Sequence, residues 1–318
     1  MFFSVLIANY NNAQYLDAAI QSVMNQTYND WEIILLDDGS KDEFETVIKR
    51  YQSDERIKIF RNGVNHGCSF TKNKLIELAT GDLLGFLDPD DSLHPEALEI
   101  MANLHSQMPL HSIIHSTHYI CDSNLQVVKT ATYPKALPPD TPYLLLNDGS
   151  IHAFASFKKN LYMLTEGISF YRKEDRAVDQ DLYYRLEEAG PVFFVDKPLY
   201  YYRIHSGSIS NWGNEAKAMV CHYRIIEAAC LRRLEKLKSN TEPDAGSMAK
   251  RYRTRYHKIR MLRSYRQKHW GSLLSSAFQF PIVGGMDNII SYMKKLPAGG
   301  FAIIRKSLTG NYQVLEKQ

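Results

Sequence analysis

Trp31-Glu32-Ile33-Ile34-Leu35-Leu36-Asp37-Asp38-Gly39-Ser40 is an apolar run of strand length that stops on two adjacent carboxylates and a Gly-Ser turn. Upstream, Phe2 to Ala8 has the same form and runs into the polar cluster Asn9-Tyr10-Asn11-Asn12. Between the two, Leu16, Ile20, Val23 and Met24 recur at helical spacing, which predicts an amphipathic helix over roughly Ala13 to Asn25. Downstream, Ser40 and Glu43 have capping-box spacing ahead of a helix whose apolar face is Phe44, Val47, Ile48 and Tyr51. A short third strand is predicted over Arg56 to Phe60, then a helix over Ser69 to Ala79 that Gly81 terminates. The fourth strand, Leu83-Leu84-Gly85-Phe86-Leu87, again ends in acid, at Asp88.

Alternation of this kind predicts an α/β fold with a doubly wound, mostly parallel sheet. Ligands of such sheets bind beyond the carboxyl ends of the strands, where strand order reverses. The clusters Asn9 to Asn12, Asp37 to Ser40 and Asp88 to Asp91 each follow a predicted strand, so all three are expected on one edge.

The bulk properties narrow the chemistry. Hydrophobic residues make up 44% and charged residues 23% of the 318-residue chain, which is ordinary for a globular protein. Four cysteines, Cys68, Cys121, Cys221 and Cys230, form no CxxC pair, which argues against a zinc site or a disulfide framework and fits a reducing cytoplasm. No apolar run reaches the roughly 20 residues of a membrane span, and the apolar N-terminus reads as a buried strand rather than a leader. Charge is unevenly spread. From Glu215 onward lie about 20 of the 38 Lys and Arg but about 7 of the 35 Asp and Glu. An acidic region 1–213 is expected to be joined to a basic helical region 214–318.

Gathering Asp37, Asp38, Asp88, Asp90 and Asp91 on one edge is costly, because like charges raise one another's pKa unless a cation neutralises them. Mg²⁺ or Mn²⁺, held by one or two carboxylates with phosphate oxygens and water completing the shell, is the usual solution. Pro89 stiffens the turn that presents Asp88 and Asp90. Each acidic cluster alone is a plausible turn or helix cap; the pair on successive strand ends favours a nucleotide-and-metal site.

Ala8-Asn9-Tyr10-Asn11, Asp37-Asp38-Gly39-Ser40, Asn65-x-Gly67 with Lys72-Asn73, Gly81-Asp82 and Phe86-Leu87-Asp88-Pro89-Asp90-Asp91 follow one another over the first hundred residues. In order and spacing this series resembles the family 2 inverting glycosyltransferases of the GT-A fold. The resemblance implies a nucleotide site of Ala8, Tyr10, Asn11, Asp38, Lys72 and Asp88, with Tyr10 and Asn11 flanking the base, Asp38 contacting it and Asp88 on the ribose. It also implies Asp90 as ligand to a metal that bridges the donor diphosphate. Two positions depart from the family pattern: Ala8 stands for its usual Pro and Lys72 for its usual Arg, which exchanges a bidentate fork for a point charge.

Displacing a nucleoside diphosphate from a sugar carbon also requires a base for the acceptor hydroxyl. Asp179-Gln180-Asp181-Leu182 opens a predicted helix that ends at Gly190, where an Asp is otherwise a favourable first-turn residue. The segment resembles the family's Glu-Asp-x-Asp-Leu motif, with Val178 in the Glu position, and the resemblance makes Asp179 the general base. Apolar stretches Val192 to Val195 and Leu199 to Ile204 follow. Tyr202-Arg203-Ile204-His205-Ser206-Gly207-Ser208-Ile209-Ser210 resembles the family's closing segment, which implies His205 as a metal or diphosphate ligand and Ser208 and Ser210 as phosphate contacts. Imidazole is a competent Mn²⁺ ligand.

Residues 101–173 match nothing closely. His111, His115 and His118 lack a metal-ligand pattern and read as structural, Trp31 as core, and Trp212 as loop packing or a stacking surface for the acceptor. Ile151 to Phe157 and Tyr162 to Phe170 are expected to shape an acceptor pocket.

In the basic region, Ala216 to Lys238 has helical apolar spacing. Ala249 to Trp270 interleaves nine Lys and Arg with Tyr252, Tyr256, Ile259, Leu262 and Tyr265. An apolar stretch interrupted by Pro281 follows. Basic and aromatic residues together suit an anionic membrane surface, a solvated helix on the catalytic region, or nucleic acid; the acidic first region disfavours the last. The expectation is therefore a transferase moving sugar from a nucleotide-diphosphate donor, UDP-type, to a glycan or lipid-linked acceptor in cell-surface polysaccharide synthesis. It would be cytoplasmic, or peripheral on the inner membrane face. A sugar nucleotidyltransferase is the rival enzyme, but it calls for a Gly-rich basic loop after the first strand, where this chain has Asn9-Tyr10-Asn11-Asn12. A silent sugar-nucleotide binder is the other rival.

Overall fold

The computed structural model describes residues 1–146, 149–152, 154–168, 177–205, 215–239 and 243–284. Two compact units divide the chain, Met1–Glu215 and Ala216–Gln318.

The first unit begins with β1 (Phe3–Asn9), α1 (Ala13–Met24), β2 (Trp31–Asp37), α2 (Phe44–Ile48), β3 (Ile57–Arg61), α3 (Cys68–Leu78) and β4 (Leu83–Phe86). Every residue of β2 is buried, which is why its apolar run shows no period-two alternation. These strands form the parallel sector β3-β2-β1-β4. In register, Ala8 faces Leu36 and Asn9 faces Asp37, so the polar residues after β1 and β2 emerge side by side. Phe3, Leu16, Ile20, Trp31, Ile33 and Phe44 are essentially sealed from water, each worth about 1.5–3 kcal/mol of burial. Trp31 is core, with the Arg56 guanidinium 4.1 Å above its ring.

Beyond this sector come β5 (Ser92–Leu93), α4 (Ala97–Gln107), β6 (Ile113–Cys121), β7 (Val127–Thr130), α5 (Tyr143–Leu146), β8 (Ala155–Lys158), α6 (Lys159–Tyr162), α7 (Val178–Glu187) and β9 (Val192–Arg203). The sheet continues from β4 through β8, β6 and β9 to β5, with β7 hung on β6. Its long pairings are parallel, seven residues between β1 and β2 and eight between β6 and β9. Each antiparallel pairing is two or three residues long.

Three local expectations are corrected. The capping box does not form: Ser40 gives its hydroxyl and backbone N–H to Asp37, and α2 starts at Phe44 without a side-chain cap. The two apolar stretches 192–195 and 199–204 are one strand, whose register against β6 shifts around Thr117 and Pro198. In the second unit, α8 (Glu215–Lys236) is followed by α9 (Ala245–Arg266), with a separate α10 (Trp270–Gly284). Trp270 opens α10 rather than closing the basic helix, and the helix continues past Pro281.

Glu227 of α8 takes a two-pronged ion pair from Arg263 of α9 at 2.7 and 2.8 Å, so that basic helix is tied by charge as well as packing. Among the described residues no helix is long and apolar enough to cross a membrane.

Candidate active site

The turn after β2 is built around its first carboxylate. Asp37, fully buried, accepts from Asn9 Nδ2 at 2.8 Å and from the Ser40 N–H at 3.0 Å, with Arg61 Nε at 3.3 Å. Gly39 takes φ +78°, and a Cβ there would lie 2.8 Å from the Val64 carbonyl carbon. The Ser40 hydroxyl accepts the Asn11 N–H at 2.8 Å, and Asn11, itself at φ +54°, accepts the Lys41 N–H at 2.9 Å. The ends of β1 and β2 are thus one hydrogen-bonded piece. Tyr10 projects from it, 45% exposed.

Asp38 is buried too, and its oxygens accept from Asn62 Nδ2 at 2.8 Å and from the N–H groups of His66 and Gly67 at 2.9 and 2.8 Å. It therefore fixes the loop that leads into α3. On α3, Lys72 reaches Asp179 of α7, Nζ to Oδ1, at 2.5 Å and lies 4.7 Å from the Phe86 ring centre. Burial alone would lower the Lys72 ammonium; the charges of Asp179 and Asp88 outweigh it and hold the group above the ordinary lysine range. Asp179 is the half-open partner, its side chain 47% exposed against 6% for Lys72. Just before α7, Ala177 adopts a left-handed conformation at φ +69°, turning the chain so that Asp179 falls in the first helical turn.

The 88–91 turn is clamped from the far end of β9. Asp91, the acid without an expected role, accepts the Tyr200 hydroxyl and the Arg203 N–H at 2.7 Å each. Arg203 Nε donates to the Asp90 carbonyl at 2.6 Å, and its guanidinium lies over the Tyr15 ring at 4.6 Å. Desolvation pushes the Asp88 carboxyl up to about 6, with Lys72 opposing and Asp179 and Asp90 reinforcing. Burial drives Asp91 well above the usual carboxylate range, Asp88 and Asp90 adding to it.

His205 Nε2 lies 2.9 Å from Asp90 Oδ2, and its ring packs on Tyr15 at 4.6 Å. A carboxylate oxygen beside an imidazole nitrogen suits Mn²⁺ or Mg²⁺ drawing its other ligands from phosphate and water. Among the described residues no cluster of three or more His, Cys, Asp or Glu side chains is placed to hold a metal. Asp88 and Asp91, raised by burial first and by neighbouring carboxylates second, carry a cost that a cation would relieve.

The structure thus joins Asp88, Lys72 and Asp179 in one electrostatic group, and Asp90 with His205 in direct contact. Ser208, Ser210 and Trp212 lie outside the described residues. Sequence reasoning placed Arg203 in the closing segment but gave it no role, and missed Tyr200, which clamps the turn with it, and Tyr15, which packs on His205.

The fold is shared with solved structures that hold nucleotide sugars. S. aureus TarS residues 1–349, in complex with UDP-GlcNAc, superposes with a TM-score of 0.66 over 98% of this chain and 93% of that one, at 17% identity. The mannosyltransferase PcManGT from Pyrobaculum calidifontis, in complex with GDP-Man and Mn²⁺, gives 0.54 over 97% and 86%, at 10% identity. Both place the architecture in the GT-A group. In sequence, the chain is 27% identical to the chondroitin synthase of Escherichia coli over 207 residues, 65% of this chain and 29% of that protein. It is also 27% identical to the hyaluronan synthase of Pasteurella multocida over 209 residues, 65% of this chain and 21% of that protein. The chain thus spans under a third of either synthase. The glycosyl transferase family 2 model matches residues 4–177, more than half of the sequence. By that match, the chain belongs to glycosyl transferase family 2.

Proposed function

We propose that region 1–213 is an inverting glycosyltransferase that moves a sugar from a nucleotide-diphosphate donor to a hydroxyl of a glycan or lipid-linked acceptor. The observation that carries this reading is the meeting of Asp88, Lys72 and Asp179 beside the Asp90–His205 contact, at the strand ends of a GT-A sheet. Relatives that build chondroitin and hyaluronan support polysaccharide synthesis as the setting, and neighbours that bind UDP-GlcNAc and GDP-Man support the donor class.

In this mechanism the donor lies along the strand ends. Ala8, Tyr10, Asn11 and the loop held by Asp38 surround its base, and Asp88 meets the ribose. Asp90 and His205 would hold Mn²⁺ or Mg²⁺. When bound, that ion supplies positive charge against the leaving diphosphate. Asp179 accepts the proton of the acceptor hydroxyl as its oxygen bonds to the anomeric carbon. The bond from that carbon to the diphosphate oxygen breaks with its electron pair, and configuration inverts. Lys72 is drawn toward the diphosphate as charge develops there, which loosens its hold on Asp179 when a base is needed.

Release of nucleoside diphosphate from a panel of UDP- and GDP-sugars, with Mn²⁺ or Mg²⁺ present, tests the reading. Turnover is expected with at least one donor and is expected to vanish in Asp90→Ala; unchanged turnover there would remove Asp90 from the metal site. For region 214–318 we propose docking on an anionic membrane face, on the strength of its excess of Lys and Arg. Co-sedimentation with phosphatidylserine vesicles at low salt is the expected result, and none would reject it.

A further inference from the structure

Two histidines and two tyrosines, distant in sequence, meet along the second half of β6. The Tyr133 hydroxyl lies 3.0 Å from His118 Nε2 and 3.2 Å from His152 Nδ1. Tyr202 of β9 closes the group, its ring 5.8 Å from His118 and 5.7 Å from His152, both edge-on. Accessibility is graded outward: His118 is sealed, His152 is half-buried and Tyr133 is 39% exposed. Burial pushes His118 down to about 3 and lowers His152 as well, the latter partly offset by the nearby Asp179 charge. Both rings are therefore neutral at physiological pH, and the second lies within electrostatic reach of Asp179.

The proton positions follow from counting donors. A phenol has one proton, so Tyr133 donates to one histidine and must accept from the other. His118 Nδ1 is buried and has no hydrogen-bond partner among the described residues. An orphaned N–H is the rarer defect, so Nδ1 is the bare nitrogen and Nε2 carries the proton. His118 Nε2–H then donates to Tyr133, and Tyr133 donates to His152 Nδ1. The proton of His152 is left on Nε2, a donor that no described residue accepts.

We propose that His152 and Tyr133 form the acceptor subsite, with His152 Nε2–H donating to a hydroxyl oxygen of an acceptor sugar and His118 and Tyr202 positioning the pair. An uncharged cluster offering flat rings and one fixed donor suits a neutral hydroxylated ring, and the Asp179 charge marks it as the proton-accepting side. This inference rests on the glycosyl-transfer reading above.

The test uses the full chain with ¹⁵N-labelled histidine, Mg²⁺, and UDP or GDP, whichever binds. Long-range ¹H–¹⁵N spectra are expected to show His152 protonated on Nε2 and bare on Nδ1. Millimolar methyl glycosides of glucose, galactose, mannose and N-acetylglucosamine are the probes. At least one is expected to move the His152 Nε2 resonance, and its affinity should fall about tenfold in His152→Phe and in Tyr133→Phe, the loss of one hydrogen bond. A proton on His152 Nδ1 overturns the proposal. So does a bound nucleotide with no glycoside response, or an equal loss of nucleotide affinity in both variants. If neither UDP nor GDP binds, the transferase reading fails instead, and the His152 tautomer still decides the relay.

Discussion

Removing either partner of the Lys72–Asp179 ion pair should expose how far it governs the site. Lys72 is 6% exposed and Asp179 is 47% exposed, so the pair is half in water. A fully buried pair broken at one end costs about 3–5 kcal/mol, and an exposed one contributes under about 1 kcal/mol. With solvent screening of Asp179 taken into account, the expected coupling is about 1–2 kcal/mol. Lys72→Met should cost the smaller part of this, because Asp179 can hydrate. Asp179→Asn leaves a sealed ammonium with Asp88 as its neighbouring carboxylate among the described residues, and should cost more. The assay is a double-mutant cycle in urea, run beside transfer kinetics. Asp179→Asn is expected to keep donor affinity and to lower turnover by about 10²–10⁴, the usual contribution of a general base. Coupling below about 0.5 kcal/mol would mean the contact does not persist in solution. Loss of donor binding in Asp179→Asn would make the residue structural.

Other perturbations follow from the same structure. Gly39→Ala places a Cβ 2.8 Å from Val64 backbone at φ +78°; it should lose at least about 1–2 kcal/mol in urea unfolding, and a neutral result would mean the 37–40 turn relaxes freely. Arg203→Met removes donors to the Asp90 and Ser123 carbonyls. Donor Kd should rise about tenfold as the turn loosens, and an unchanged Kd by calorimetry would refute the clamp. His105 and His115 are held neutral, burial pushing each down to about 3. Because their folded values are depressed, their stabilising contribution is complete above the unfolded pKa near 6.5 and declines as pH falls. Each should remove about 1.4 kcal/mol per pH unit below that point. His115→Phe should flatten this dependence between about pH 6.5 and 4, and an unaltered slope would show that His115 takes up protons equally in the folded and unfolded states.

The first hundred residues were legible because three of their four strands end on polar clusters, and one sheet edge collects them. The capping box was misread because Ser40 has a nearer acceptor in Asp37, a contact that spacing statistics ignore. β8 sits next to β4 in the middle of the sheet but is four residues long, too short to show a period, so residues 101–173 gave no pattern. β9 read as two pieces because Asp196, Lys197 and Pro198 interrupt its apolar sequence where the register against β6 shifts. Asp91 had no readable purpose, since its partners Tyr200 and Arg203 lie 109 and 112 residues later. The His118–Tyr133–His152 cluster was invisible for the same reason: long-range convergence leaves no local spacing.

That last separation bears on the order in which the protein is made. The parallel sector β3-β2-β1-β4 is complete by Phe86 and can begin to pair while most of the chain is still being synthesised. The turn at 88–91 is different, because it is closed by Arg203, 112 residues further on. A nascent chain would carry the acids of this edge for over a hundred residues of synthesis before the clamp that organises them arrives. Affinity for a nucleotide would then switch on late and abruptly, with the emergence of β9, rather than growing as the sheet assembles.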